Sequence, residues 1–228
     1  MANTSGLLRY EEFFKPGSSL ARERPEPKFP ALLLPALNPL LANGLCRGTI
    51  AEVSGQRSSG RTSVAMHILA QATACGEICA VIDLYNNFYP ASAQAAGVEL
   101  NRLIWVRCRG NAEHAIRATD LLLHAGGFGV VLLDLCDAPA RVLNRIPLSY
   151  WYRFRRAVEH TPAILLLCAD SPQAKSCASY SIELKPKVFY WTGKAPFLLL
   201  RGMEAIAMLR RIRSLSVALP VSSLQVMV

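Results

Sequence analysis

Residues 55–63 read GQRSSGRTS, and they lie between a run of alternating character, GTIAEVSG, and a run with helical spacing, RTSVAMHILAQATAC. A strand that turns into a helix around two glycines has few ways to fold. Glycine, four residues, glycine, a basic residue and then Ser or Thr is the spacing that lets backbone wrap a phosphate, N–H groups inward. The helix opening there adds the positive end of its dipole. Gly55, Gly60 and Thr62 fit this template, and Ser58, Ser59 and Ser63 complete the turn. Arg61 stands where the template asks for lysine.

The rest of the chain is read around that turn. ICAVIDL (78–84), GVVLLDLC (129–136) and PAILLLCAD (162–170) are continuous apolar runs, as expected of parallel strands covered on both faces. RLIWVRC (102–108) reads as a further strand, and residues 61–75, 111–125 and 150–159 read as helices. Strand and helix in alternation predict an α/β fold, a mainly parallel sheet flanked by helices. From Ala178 the pattern changes to SIEL, KVFYW, FLLL and AIAML, with turns expected at TGKAP and RGM. This predicts antiparallel strands at the C-terminal end, although AIAMLRRIR also fits a basic helix. Asp134 ends a buried strand, where an acid can orient Mg²⁺ bound to nucleotide, and Thr62 can ligate the same ion. The turn and this acid together read as a P-loop nucleotide site.

Three regions are expected: a proline-rich extension over 1–43, a core over 44–215 and an apolar tail over 216–228. Tyr10–Phe14 reads as a helical turn, and LLLPALNPLLANG as an apolar strap on the domain. Hydrophobic residues make up 52% of the 228, so the chain has a large core or an apolar docking face. Prolines at 30, 35 and 39 break the one long uncharged stretch near the start, which argues against a membrane helix and a membrane partner. The first residues lack the pattern of a signal peptide, so the expected location is the cytoplasm. The seven cysteines are scattered and read as buried thiols. The four histidines show no ligand spacing.

From Gly44 to about residue 185 the chain resembles bacterial RecA proteins. GLCRGTIAEVSGQRSSGRTSVAMHILAQATACGEICAVIDL carries the likeness first, and LNRLIWVRC, VVLLDLCD and ILLLCADSPQAKSCASYSIEL continue it. RecA is longer. The short RecA-like ImuA proteins, which accompany error-prone polymerases in bacterial mutagenesis cassettes, match better in size and in the proline-rich N-terminus. The resemblance places Asp83 at a second-strand aspartate, Tyr85 at the glutamate that activates water, and Asp170 at a glutamine that senses the terminal phosphate. Tyrosine, with a pKa of about 10, is no general base at neutral pH. Asn86 and Asn87 can hold a water without deprotonating it. A carboxylate at 170 repels phosphate unless protonated or metal-bound. Arginine at 61 keeps the charge but not the shape of lysine. No catalytic residue is assigned. Binding of ATP with Mg²⁺, and no cofactor at all, both stay open.

Residues 141–156 carry a basic aromatic cluster. Arg141, Arg145, Arg153, Arg155 and Arg156 interleave with Tyr150, Trp151, Tyr152 and Phe154. Arginines on phosphates and aromatics under bases would make a surface for single-stranded DNA. The same residues also suit a protein interface, or a helix with its aromatics buried and its arginines solvated. A net charge of +9 permits an acidic partner without requiring one.

The resemblance implies an accessory role in DNA repair, namely SOS mutagenesis and translesion synthesis after DNA damage. The partners it implies are RecA, error-prone polymerase subunits, or both. An active DNA-dependent ATPase or recombinase and an SOS cell-division inhibitor are the alternatives.

Overall fold

The computed structural model describes residues 29–37, 40–41, 43–212 and 221–227. Tyr10–Phe14 lies outside the described residues. The chain runs β1 (Thr49–Gly55), α1 (Arg61–Ala74), β2 (Ile78–Asp83), α2 (Pro90–Ala95), β3 (Leu103–Arg107), α3 (Ala112–Ala125) and β4 (Phe128–Asp134). It continues with α4 (Ala140–Leu143), α5 (Leu148–Val158), β5 (Ile164–Ala169), β6 (Tyr180–Lys194), β7 (Phe197–Ile212) and β8 (Val221–Met227).

All eight strands form one sheet in the order β3-β2-β4-β5-β1-β6-β7-β8. The first six of these pair in parallel. The last two are antiparallel. Every residue of β4 and β5 is buried, because helices cover both faces of these strands. The fold is therefore the α/β architecture expected, a mainly parallel sheet flanked by helices and closed by antiparallel strands.

The core has two halves. On one face, α1 contributes Val64, Ile68 and Leu69, and residues around α2 contribute Phe88, Ala93 and Val98. On the other, α3 contributes Ala115, Ile116 and Leu123, and α5 contributes Trp151, Phe154 and Val158. The strap joins the first half through Leu32, Leu34, Leu37, Leu40, Leu41 and Leu45. A pair of backbone hydrogen bonds between Leu32 and Leu45, both 2.9 Å, closes the strap on itself. Gly44 has φ +68°, and a side chain there would meet the Leu32 carbonyl. Glycine at this position lets the strap double back.

AIAMLRRIR follows the strand reading and not its helical alternative: residues 205–212 lie within β7, where Ala205, Ala207 and Leu209 are buried on alternate positions. Two expectations need correction. RGM is not a turn, since Gly202 lies inside β7 opposite Tyr190. The segment set apart as a tail also supplies β8, which pairs with Gly202–Met208.

Leu34 is fully buried although it precedes the first strand of the sheet. Leu34→Ala is expected to cost about 2–5 kcal/mol, measured as a lower urea midpoint. A cost near zero would mean that the strap only rests on the domain.

Candidate nucleotide site

Parallel strands present their C-terminal ends along one edge, and ligands of such sheets bind outside that edge. Here the edge carries Gly55, Asp83, Asp134 and, just past β5, Asp170. Asp83 and Asp134 are register partners across β2 and β4, and Asp134 and Cys168 across β4 and β5.

The loop from Gly55 to Gly60 has the backbone that its sequence demands. Ser58 and Gly60 take positive φ, at 59° and 87°. A Cβ on Gly55 would lie 2.4 Å from Ser59 Oγ and 2.7 Å from the Leu184 carbonyl, so only glycine fits. Ser59 is buried, and its hydroxyl has no hydrogen-bond partner among the described residues. Ser58, Thr62 and Ser63 are exposed. Thr62 and Ser63 open α1.

Arg61 defines the site. Its side chain turns back over the loop instead of outward and is only 5% exposed. Nη1 donates to the Gly55 carbonyl and lies 2.7 Å from Asp170 Oδ1. Nη2 donates to Asp137 Oδ1 at 3.1 Å. Arg57 Nε reaches the same Asp137 oxygen at 2.9 Å, and the Asp137 amide donates to Asp170 Oδ1 at 3.0 Å. Two arginines and two aspartates thus close on each other across the mouth of the loop. A guanidinium suits this arrangement because its planar fork serves several acceptors at once. A phosphate bound at Arg61 would have to share the guanidinium with both carboxylates or displace them. The glycines, Thr62 and Asp134 fit a nucleotide with its metal; Arg61 held between two carboxylates does not.

Asp134 sits beneath. It is buried, and its Oδ1 accepts from the Cys136 amide at 2.9 Å. Burial pushes its carboxyl above the usual range. Cys136 and Cys168 place their sulfurs 3.2 Å apart beside it. Their mutual contact and burial push the Cys136 thiol up, as expected of an inert core cysteine.

The position that resemblance assigns to a strand aspartate has a local structural task. Asp83 is fully buried and accepts from the Asn87 and Phe88 amides, both at 3.0 Å, and from Trp105 Nε1 at 3.2 Å. Tyr85 packs against the core beside α3. Asn87 donates to the Cys136 carbonyl at 3.1 Å.

The residues that sequence reasoning missed are Asp137, Arg57 and Glu52. Glu52 is buried in β1 and accepts from the Gln173 and Ala174 amides, which pins the short 170–177 connection against the sheet. A glutamate in the middle of a buried strand was the available signal.

The basic aromatic cluster divides. Trp151, expected on a DNA or partner surface, is instead 3% exposed, edge-on to the buried Phe154. The reason is periodicity: Trp151, Phe154 and Val158 form the apolar stripe of α5. Arg141, Arg145 and Arg156 are exposed, and Arg155 is half-buried. Arg153 pairs with Asp120 of α3 at 2.6 Å. Arg145 lines a cavity of about 670 Å³ with Arg109 and Tyr150, while Arg153 and Arg156 line a separate one with Tyr152.

Among the described residues, no helix is long and apolar enough to cross a membrane.

Asp137 offers a pH test. The hydrogen bond from Arg57, helped by the charges of Arg57 and Arg61, holds its carboxyl below the usual range. A depressed folded pKa gives stability that is complete above the unfolded value of about 3.9 and is lost as pH falls through the folded pKa. Asp137→Asn should therefore flatten the acid limb of stability below about pH 4, read from urea midpoints across pH. Parallel limbs for the two proteins would remove Asp137 from the network.

Known proteins share this framework. Residues 36–142 match the RecA N-terminal domain family. The chain is 38% identical over 91 residues to the RecA protein of Symbiobacterium thermophilum, covering 40% of this chain and 26% of that protein. To the RecA of Bifidobacterium longum it is 33% identical over 135 residues, covering 57% and 34%. To that of Cutibacterium acnes it is 40% identical over 91 residues, covering 40% and 26%. The chain thus spans about a quarter to a third of the length of these relatives. The matched segment holds β1 to β4 and the loop with its two glycines, and with the sheet built on them this chain carries a RecA-like domain.

Proposed function

We propose that this protein is a RecA-like accessory factor in DNA-damage-induced mutagenesis and translesion DNA synthesis. It acts as an adaptor for an error-prone polymerase or for RecA, in the manner of the ImuA-type proteins, and not as an ATP-driven machine. The single observation that carries this reading is Arg61, folded back over the loop and held by Asp137 and Asp170. A site occupied by its own ion pairs is poor at taking phosphate. Buried charges that are already paired also resist rearrangement, because opening the pair leaves a charge uncompensated.

Tyr85 supports the reading too, since it offers no base to the edge where a water would be activated. The short 170–177 connection is held to Glu52 and has little freedom to grip DNA. What remains for function is surface, which is the property an adaptor needs. The polymerase and RecA partners come from the resemblance, and the likeness to RecA proteins supports them only at the level of the domain.

Two measurements test the proposal. Titration with MgATP is expected to show weak binding, with no phosphate release stimulated by single-stranded DNA. Asp137→Asn combined with Asp170→Asn frees Arg61 and should tighten ATP binding about tenfold, equivalent to about 1.4 kcal/mol. Purified RecA or an error-prone polymerase subunit should bind the full chain with that affinity unchanged by ATP. Brisk DNA-stimulated turnover by the wild-type protein would replace the adaptor with an active ATPase.

A further inference from the structure

The distal half of the β6–β7 hairpin stands clear of the rest of the sheet. β1 pairs with β6 only up to Leu184, and β8 pairs with β7 only from Gly202 to Met208. Beyond those points the two strands of the hairpin pair only with each other among the described residues. Both outer edges of this ribbon therefore present backbone groups with no described strand beside them.

Its side chains are unlike those of a ribbon meant for water. Val188, Tyr190, Trp191, Phe197, Leu198 and Leu199 are all exposed, with Phe197 at 85% and Leu199 at 60%. In the hairpin register Trp191 and Leu198 lie on one face of the ribbon and Phe197 and Leu199 on the other, with Lys194, so exposed apolar groups flank the open strand edge on both faces and mark an interaction site. The stretch from Lys185 to Arg201 contains four basic residues and no acidic one. Lys185 lies 3.5 Å from Glu183, and Lys187 lies 3.0 Å from Glu204. Lys194 and Arg201, nearest the turn, have no carboxylate partner among the described residues.

We infer that this hairpin tip is a docking surface for an acidic, apolar, strand-forming segment of another protein, which adds to the open edge of the ribbon. Three observations select that occupant. The open edge takes a strand by main-chain hydrogen bonding, with alternate side chains supplying specificity. The apolar groups need apolar groups opposite, and Lys194 and Arg201 need carboxylates. A second copy of the chain would bring the same cations against them, on a molecule already at +9. Single-stranded nucleic acid would satisfy the cations and could stack on Tyr190, Trp191 and Phe197, but it would leave Val188, Leu198 and Leu199 bare and the open strand edge unpaired, which an added strand covers. The inference concerns a different surface from the nucleotide site and holds whether or not the accessory role does.

The test uses the full chain and an array of peptides about ten residues long. One set alternates Leu or Val with Glu, a second alternates the same apolar residues with Lys, and a third scrambles the first. The wild-type protein should bind the acidic alternating set and neither of the others, more weakly as salt rises. Phe197→Glu with Leu199→Glu should lower that binding at least about tenfold. Both side chains are exposed, so the far-UV spectrum and Tm should not change. Lys194→Glu with Arg201→Glu is the second variant, and it should move the preference to the Lys-containing set.

Equal binding of acidic and basic peptides would overturn the inference, as would variants that behave like the wild type. A wild-type dimer made monomeric by Phe197→Glu and Leu199→Glu would assign the surface to a second copy. Loss of affinity for an oligothymidine, with peptide binding absent, would assign it to nucleic acid. Failure of RecA and polymerase subunits to bind would count against the accessory role and leave the peptide result standing.

Discussion

A guanidinium buried at the carboxyl edge of a parallel sheet has to be neutralised where it lies. Arg61 is such a group, and three separate connections converge on it. The end of β1 offers the Gly55 carbonyl, the segment after β4 offers Asp137, and the segment after β5 offers Asp170. The bond from the Asp137 amide to Asp170 then links the last two directly. Each contact alone is modest. Together they fix the relative positions of three loops that the strands leave free, because moving any one strands part of a buried charge. The loop that in other sheets stays open for a ligand is here a structural junction.

The change from lysine to arginine makes this junction possible. An ammonium is a compact, strongly hydrated charge at the end of a flexible stem. A guanidinium is planar, more weakly hydrated and presents its N–H groups in a fixed fork, so it can serve a carbonyl and two carboxylates from one buried position. Asp137 and Asp170 are then partners of Arg61 more than obstacles to phosphate. The repulsion expected of a carboxylate at position 170 is cancelled locally by the arginine, and the cancellation uses up the positive charge that phosphate would have met.

Much of the fold was legible because its signals are local. Continuous apolar runs at 78–84, 129–136 and 162–170 have the length of buried strands and are bounded by turn residues, and the glycine spacing after β1 sets the turn into α1. The C-terminal half was harder. AIAMLRRIR has apolar residues that satisfy both a helical and an alternating pattern, and its place between β6 and β8 decides the matter. Gly202 looks like a turn residue in isolation. In the sheet it sits opposite Tyr190, well inside β7. The ion pairs of the site were not legible. Arg61 and Asp137 are 76 residues apart, and nothing in either neighbourhood specifies their meeting. For Trp151 the signal was present: spacing of three and seven residues to Phe154 and Val158 marks a buried stripe, which the surrounding arginines obscured.

The same sheet that holds the closed loop also carries the exposed hairpin, and β6 is the connection. Its first five residues pair with β1, directly beside the loop, and the strand then continues without a break into the projecting ribbon. Leu184 belongs to both regions: its carbonyl lies against Gly55, and its side chain is buried in the core. A partner docked at the tip therefore pulls on a strand anchored in the buried core. Two-stranded ribbons standing alone are marginal in water. This one is stiffened at its base by β1 on one side and β8 on the other, so its tip can keep its shape while exposing apolar side chains. A RecA-like core whose glycine loop is held by the ion pairs of Arg61 with Asp137 and Asp170 gives such a ribbon a firm mount.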